Sequence, residues 1–411
     1  MSSLQALSGK RRTALRFTLG SLFACSVGTL GILACATDEK AIPSEPPVNE
    51  PVPPAPDASV DQDAQGDDAG CSDRAGCVTT TDCTTVDFCA VAYPVSRSIA
   101  LNAVWGSAKD DVWAVGTRGT ILHGDGTTFV PLATNRSDIF FSVWGTGKDD
   151  VWFMSSTTPV HSQGFVGGSA TFEDVKGSSW NPNEVGSGRI WAGHSSARDQ
   201  VWIAGQHTVR FADFYGNGGS FWRFGTDDDG GAVWSRGGSC EQDMQCTPLV
   251  RALWGTPVGQ TPSVVWAVGE RGQAFVLDDP EAGHWSFRTP DTVNDLEAVW
   301  GTSASDVWAV GQNGTIRHIA DETGTWHAVD SPTTSHLHGV WGTSTNDVWA
   351  VGDTGTVIHY DGKDWTVATI GLPPGDVPTN LFGVWGSGPD DVWIVGDGLV
   401  LHRTASSRRH P

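Results

Sequence analysis

The sequence predicts an all-β fold, a seven-bladed β-propeller with four antiparallel strands per blade, and three observations carry that prediction. The hexapeptide DVWAVG occurs at 111–116, 306–311 and 347–352, with near-copies DVWFMS (150–155), QVWIAG (200–205), VVWAVG (264–269) and DVWIVG (391–396). Each copy follows a second tryptophan-bearing phrase: LNAVWG, FFSVWG, RIWAGH, VRALWG, LEAVWG, LHGVWG or LFGVWG. The units they define are about 39 to about 60 residues long, room for four short strands each. No stretch shows the i, i+3, i+4 apolar spacing of an amphipathic helix.

Ahead of the repeats, residues 1–34 have the form of a secretory leader, with Lys10, Arg11, Arg12 and Arg16 before an apolar run from Phe17 to Ala34. The run ends Ile32-Leu33-Ala34-Cys35, which resembles the bacterial lipoprotein signal, in which a small residue precedes the lipid-bearing cysteine. Cys25 also follows an alanine but lies inside the apolar run, so Cys35 is the expected lipidation site. A chain anchored there is membrane-attached without spanning. Residues 35–70 are rich in Pro, Asp, Glu and Ala, a composition that cannot bury a core, and PSEPPVNEPVPPAPDA (43–58) is expected to form an extended stalk.

Residues 71–100 form a cysteine-rich collar. Cys71, Cys77, Cys83 and Cys89 fall every six residues, and Cys240 and Cys246 repeat the spacing. In an exported chain without CxxC pairs this predicts disulfides and no zinc. Cys240 is expected to pair with Cys246, while the other four allow three connectivities. The formal charge of −22 argues against a nucleic-acid partner, since phosphate binding needs a basic surface.

Within the propeller, 101–405, the unit LHGVWGTSTNDVWAVGDTGTVIHYDGKDWTVATI (337–370) shows the strands most plainly. Val340-Trp341 and Val348-Trp349-Ala350-Val351 are β-formers separated by a Gly and Asx turn. Thr356–Tyr360 makes a third strand, Asp361-Gly362 a hairpin turn, and Trp365–Val367 a fourth. The last unit stops after LVLHRTA (399–405) with no fourth strand, and FCAVAYPV (88–95) is available to close the ring as an N-terminal strand that covers the open edge.

The phrase VWAVGDTGTVIHYDGKDW resembles the repeats of sialidase-like (BNR) propellers and, more closely, of photosystem II assembly-factor-like propellers. It also resembles the DVWAVG-repeat lipoproteins of Gram-negative bacteria. The resemblance covers 101–405 and implies a propeller; Asp125-Gly126, Asp321 to Trp326 and Asp361-Gly362 to Trp365 match the sialidase Asp-box turn only in part.

Functional residues are expected to be few. The recurrent aspartates Asp111, Asp150, Asp306, Asp347 and Asp391 read as turn formers, and the third-strand histidines His123, His161, His318, His359 and His402 as packing residues. No catalytic residue, metal ligand or cofactor is expected. A glycan hydrolase, the alternative function, would need paired carboxylates or a sialidase-type Tyr/Glu and arginine set. Of Tyr93, Tyr215 and Tyr360, only Tyr215 lacks an architectural role, and Arg118, Arg271 and Arg317 fall in different repeat columns. The irregular stretch 211–246 joins Tyr215, Trp222 and Trp234 to glycines, Asp227–Asp229 as a weak calcium candidate, and the Cys240/Cys246 pair. Long loops on rigid scaffolds carry binding, so Tyr215, Trp222 and Trp234 are the expected recognition residues. The function expected is that of a non-enzymatic envelope lipoprotein, lipid-anchored to the outer rather than the inner membrane and facing the periplasm or the surface, whose propeller binds an envelope protein or glycan.

Overall fold

A computed structural model describes residues 76–79, 82–156, 158–176, 190–198, 200–211, 214–226, 229, 231–236, 249–256, 263–278 and 285–407. At 79, 190–191, 196–197, 206–211, 214–220 and 236 it describes the backbone alone. The leader, Cys35, the stalk, Cys71, Asp227, Asp228, Cys240 and Cys246 lie outside the described residues. Among the described residues the structure is strands and turns, with helical geometry confined to three single 3-10 turns.

The first six repeat units each form a four-stranded antiparallel sheet in simple sequence order. In the first, Leu101–Ala108 pairs with Asp111–Gly116, then Ile121–Gly124, then Phe129–Pro131. The hairpin at Asp125-Gly126 turns because Gly126 takes a left-handed φ of 85° and the Asp125 carboxylate accepts backbone N–H bonds from Thr127 and Thr128.

The sheet that carries the last unit departs from the expected four strands. Its order is Leu381–Gly388, Asp391–Gly396, Val400–Thr404, Phe88–Ala90, Ile370–Leu372 and Cys77–Thr79. Phe88–Ala90 lies antiparallel to Val400–Thr404, with Cys89 opposite His402. Chain leaving the sixth unit adds Ile370–Leu372 parallel to it, and Cys77–Thr79, parallel to that strand, widens the sheet to six. The buried Asp87 fastens the crossing, accepting from the Thr369 backbone N–H at 2.7 Å and hydroxyl at 2.6 Å. A disulfide joins Cys83 to Cys89, selecting that pairing from the three open ones, and Cys77 is disulfide-bonded as well.

Two tryptophan columns hold the sheets together. The second-strand tryptophans Trp113, Trp152, Trp202, Trp266, Trp308, Trp349 and Trp393 are at most 3% exposed. All seven meet, edge to face, an aromatic ring on the next sheet: Trp113 with Phe153, Trp152 with Trp234, Trp202 with Trp285, Trp266 with Trp326, Trp308 with Trp365, Trp349 with Phe88 and Trp393 with Phe129. Their centroids lie 5.0–6.3 Å apart and the planes are 70–87° to each other. At about 150–250 Å² per ring and about 25 cal/mol/Å², each contributes at most about 6 kcal/mol of burial.

The first-strand column works differently, because each ring lies on a glycine of the next unit, the one that follows the corresponding residue everywhere except in the third unit, where Gly193 precedes His194. Trp105 covers Gly145, Trp144 covers Gly193, Trp254 covers Gly301, Trp300 covers Gly342, Trp341 covers Gly386 and Trp385 returns to Gly106. A methyl group at Gly106, Gly301, Gly342 or Gly386 would sit 2.5–2.9 Å from the indole and within 2.6 Å of the carbonyl oxygen of the aspartate on the paired strand, and together these contacts require the glycine of Trp-Gly. In the third unit strand pairing sets His194 opposite Trp202. His194, and not the expected Trp191, therefore occupies this column, and it covers Gly255.

The recurrent aspartates and histidines are one network. Oδ1 of Asp111, Asp150, Asp306, Asp347 and Asp391 lies 2.7–2.9 Å from Nε2 of His123, His161, His318, His359 and His402. Oδ2 accepts from the hydroxyls of Ser107, Thr146, Thr302, Thr343 and Ser387. The expectation of an Asx turn is thus corrected: these carboxylates tie the first, second and third strands together. Burial works to raise them, but the histidine and hydroxyl bonds outweigh it and hold Asp111, Asp150, Asp347 and Asp391 below the usual carboxylate value.

Two outcomes follow. Gly386→Ala should lower stability by about 1–3 kcal/mol through overpacking against Trp341, whereas Gly388→Ala, with nothing within 4 Å of the added carbon, should leave thermal melts nearly unchanged. Because the folded carboxylates have lowered pKa values, their contribution is present above the unfolded value of about 4 and is lost as pH falls through the folded value. Asp391→Asn should therefore cost about 1–3 kcal/mol at pH 7 and flatten the loss of stability below pH ~4. An unchanged acid slope would remove the network from that role.

Candidate functional site

The seven inner strands surround a central cavity of about 710 Å³. Its wall is built of the first-strand column, Trp105, Trp144, His194, Trp254, Trp300, Trp341 and Trp385. The cavity stays open because the position two residues before each of these is small: Ala103, Ser142, Ala192, Ala252, Ala298, Gly339 and Gly383.

At one mouth the repeat stops repeating. Every inner strand carries a β-bulge between its first and third residues. The residue at the bulge is Asn102, Phe141, Trp191, Arg251, Glu297, His338 or Phe382, seven positions holding six residue types. The residue before it is always a large apolar one and the residue after it always small. A bulge re-aims one side chain and is common beside functional sites. A column without a packing role is free to differ, and this one does.

The mouth is divided into sectors. Arg251 Nη2 lies 2.9 Å from Glu270 Oε1, and Arg251 Nε lies 3.9 Å from Glu297 Oε2. His338 Nε2 lies 2.7 Å from Asp353 Oδ1. Asp295 accepts from the Arg271 backbone N–H and the Gln312 amide. Burial raises the Glu297 carboxyl above its ordinary value against the opposing pull of Arg251 and His338, with Asp295 and Glu270 adding to the rise. On the other side stand Phe382, 5.4 Å from the His338 ring, Asn102, whose amide donates to the Phe140 carbonyl, and Phe141.

The expected recognition residues lie elsewhere and only in part on a surface. The described residues of 211–246 are strands: Gln200–Phe211 and Phe214–Thr226 form a long hairpin, followed by Ala232–Arg236. Trp222 (7% exposed) and Trp234 (3% exposed) are core residues, packed with Trp144, Trp152, Met154, Val201 and Ile203. The Trp234 indole N–H donates to the Val175 carbonyl. Both were expected on a binding surface and both are enclosed between sheets, because the hairpin puts them at regular strand positions. Tyr215 is placed in the hairpin by its backbone alone, opposite Arg210. The Tyr93 hydroxyl donates to the Ile99 carbonyl, and Tyr360 packs on Trp308 and Trp365. Among the described residues no group of three or more His, Cys, Asp or Glu is arranged to hold a metal ion.

No protein family matches the chain, and no curated protein does. Solved structures do. YCF48 bound to a D1 peptide is 18% identical, with a TM-score of 0.57 over 79% of this chain and 97% of that one. YCF48 from Cyanidioschyzon merolae is 19% identical, with a TM-score of 0.57 over 77% of this chain and 99% of that one. The extracellular domain of the hybrid two component system BT4673 from B. thetaiotaomicron is 8% identical, with a TM-score of 0.53 over 77% of this chain and 40% of that one. At these identities the likeness establishes the propeller fold.

His194 supplies the test of the cavity wall. Its Nε2 has no hydrogen-bond partner among the described residues, and burial pushes its pKa down to about 4. The folded state thus binds its proton later than the unfolded chain, and stability should fall as pH drops from about 6.5 toward the folded value. His194→Phe should abolish that limb of a pH-dependent melt while leaving the carboxylate limb below pH ~4 in place. A limb that survives the substitution would place the titrating group elsewhere.

Proposed function

We propose that the chain is a non-enzymatic, membrane-anchored lipoprotein of the cell envelope whose propeller binds a protein partner at the bulge-lined mouth. The observation that carries this reading is a chemically varied column of strand residues, raised on seven bulges around an open cavity. Exposed apolar residues Val293 and Val377, on the connectors leading into the inner strands of Glu297 and Phe382, add apolar contact area. The fold shared with YCF48, one structure of which holds a D1 peptide, is consistent with peptide or protein binding.

The same proposal divides the chain into a leader at 1–34, a lipidated Cys35 with a stalk to 70, a cysteine-rich collar at 71–100 and the propeller at 101–405. The six-stranded sheet acts as the seventh blade, and Phe88–Ala90 is its closing strand. Phe88 supports this, because it gives Trp349 the edge contact that Trp365 gives Trp308.

The test is site-specific photo-crosslinking in cells. A crosslinker at Phe382 should give discrete protein adducts in the membrane fraction, one at the outer-edge Lys363 should not, and Cys35→Ser should move the chain and its adducts out of that fraction. Equal adduct patterns at the two positions would sink the platform, and membrane retention of Cys35→Ser would sink the anchor.

A further inference from the structure

We infer that the central cavity receives a cationic side chain, an arginine or lysine carried by a protein segment that crosses the bulge-lined mouth. This rests on the platform reading and names its occupant. Two independent features of the cavity agree on the sign of the charge.

The first is the wall. Trp105, Trp254, Trp300, Trp341 and Trp385 are half-buried and border the cavity. Their far edges rest on the next unit's glycines, so the rings lie along the wall and cannot turn away. Indoles attract cations more strongly than other aromatic side chains do, and most strongly where water is displaced. An anionic side chain in the same space would meet the repulsive sign of the same ring quadrupole.

The second is the mouth. Arg251 is the one guanidinium lining the cavity among the described residues, and it is already shared between Glu270 and Glu297. His338 is held by Asp353. Two cationic groups, one of them only when protonated, thus face Glu270, Asp295, Glu297 and Asp353. The contact between Arg251 and Glu297 is the longer of its two, at 3.9 Å against 2.9 Å, so Glu297 is the least compensated carboxylate at the opening. Burial raises its pKa, and Asp295 and Glu270 add to the rise against the pull of Arg251 and His338. A second cation beside Glu297 would relieve it, a neutral apolar group would deepen its desolvation, and an anion would add a fifth negative charge. The phenylalanines at the opposite side of the mouth suit apolar neighbours of the inserted residue in the same segment.

The experiment compares three nine-residue glycine-serine peptides that differ at the central position, which is arginine, its neutral isostere citrulline, or glutamate. Binding to the purified full chain is followed by tryptophan emission and by the indole N–H signals in NMR spectra. The arginine peptide should bind about tenfold more tightly than the citrulline peptide, a ratio in keeping with one desolvated cation–aromatic contact. Glu297→Gln should erase that preference, and Arg251→Gln, which removes the competing cation, should enlarge it. Should Glu297→Gln fail to fold by circular dichroism, Glu270→Gln serves the same purpose by returning Arg251 to Glu297, and it should reduce the preference. Equal affinities for arginine and citrulline, a preference that survives both carboxylate substitutions, tighter binding of glutamate, or no saturable binding would each overturn the inference. Adducts at Phe382 without an arginine preference would overturn the occupant alone, whereas the loss of those adducts would fall on the platform reading itself.

Discussion

An indole laid on a neighbour's glycine is the contact on which the rest of the structure depends. Each inner strand offers a flat ring on one side and a bare Cα on the other, and six such contacts plus His194 on Gly255 run once around the axis. The contact from Trp385 to Gly106 joins the last unit to the first, so the series has no free end. In an open array of repeats, stability is a sum of units and nearest-neighbour interfaces, and the ends fray first. Here the terminal units are each other's neighbours. The contact also sets the spacing of the inner strands, and with it the width of the cavity.

Around this ring the work is divided by column. The second-strand tryptophans seal one sheet to the next, and the Ser/Thr, Asp and His residues bind three strands of a sheet together at one end. These positions repeat because every sheet meets the same packing problem. The bulge position meets no such problem, since its backbone has been lifted out of the ladder and its side chain turned to the mouth. Chemical diversity gathers there: an amide, a guanidinium, a carboxylate, an imidazole and two phenyl rings within one circle.

Much of the architecture was legible from the repeated phrases, including the strand order within the six four-stranded sheets. Three features were not. The register of the third unit was hidden because RIWAGH places a tryptophan three residues before the true wall position, and only pairing across the sheet shows His194 opposite Trp202. The strand network was written in the sequence but as a correlation: the five units with Asp before Val-Trp are those with histidine on the third strand, while the third and fourth have Gln200 with Arg223 and Val264 with Val276. The varied bulge column was not legible because the longest insertion stands out more from the repeat, yet its Trp222 and Trp234 are ordinary core positions. The signal lay in the second letter of LNAVWG, FFSVWG, VRALWG, LEAVWG, LHGVWG and LFGVWG, which changes while its neighbours hold.

The account's central claim is that the indole–glycine contacts make the inner strands one closed, cooperative ring. Native-state hydrogen exchange in low denaturant measures this strand by strand, because amides that open together share one free energy and one denaturant slope. The account predicts a common value for Val104, Val143, Leu253, Val299, Val340 and Val384, with the first and last units as protected as the middle ones. Earlier opening of Val104 and Val384, with a smaller slope than the rest, would show an array with two ends and would contradict it.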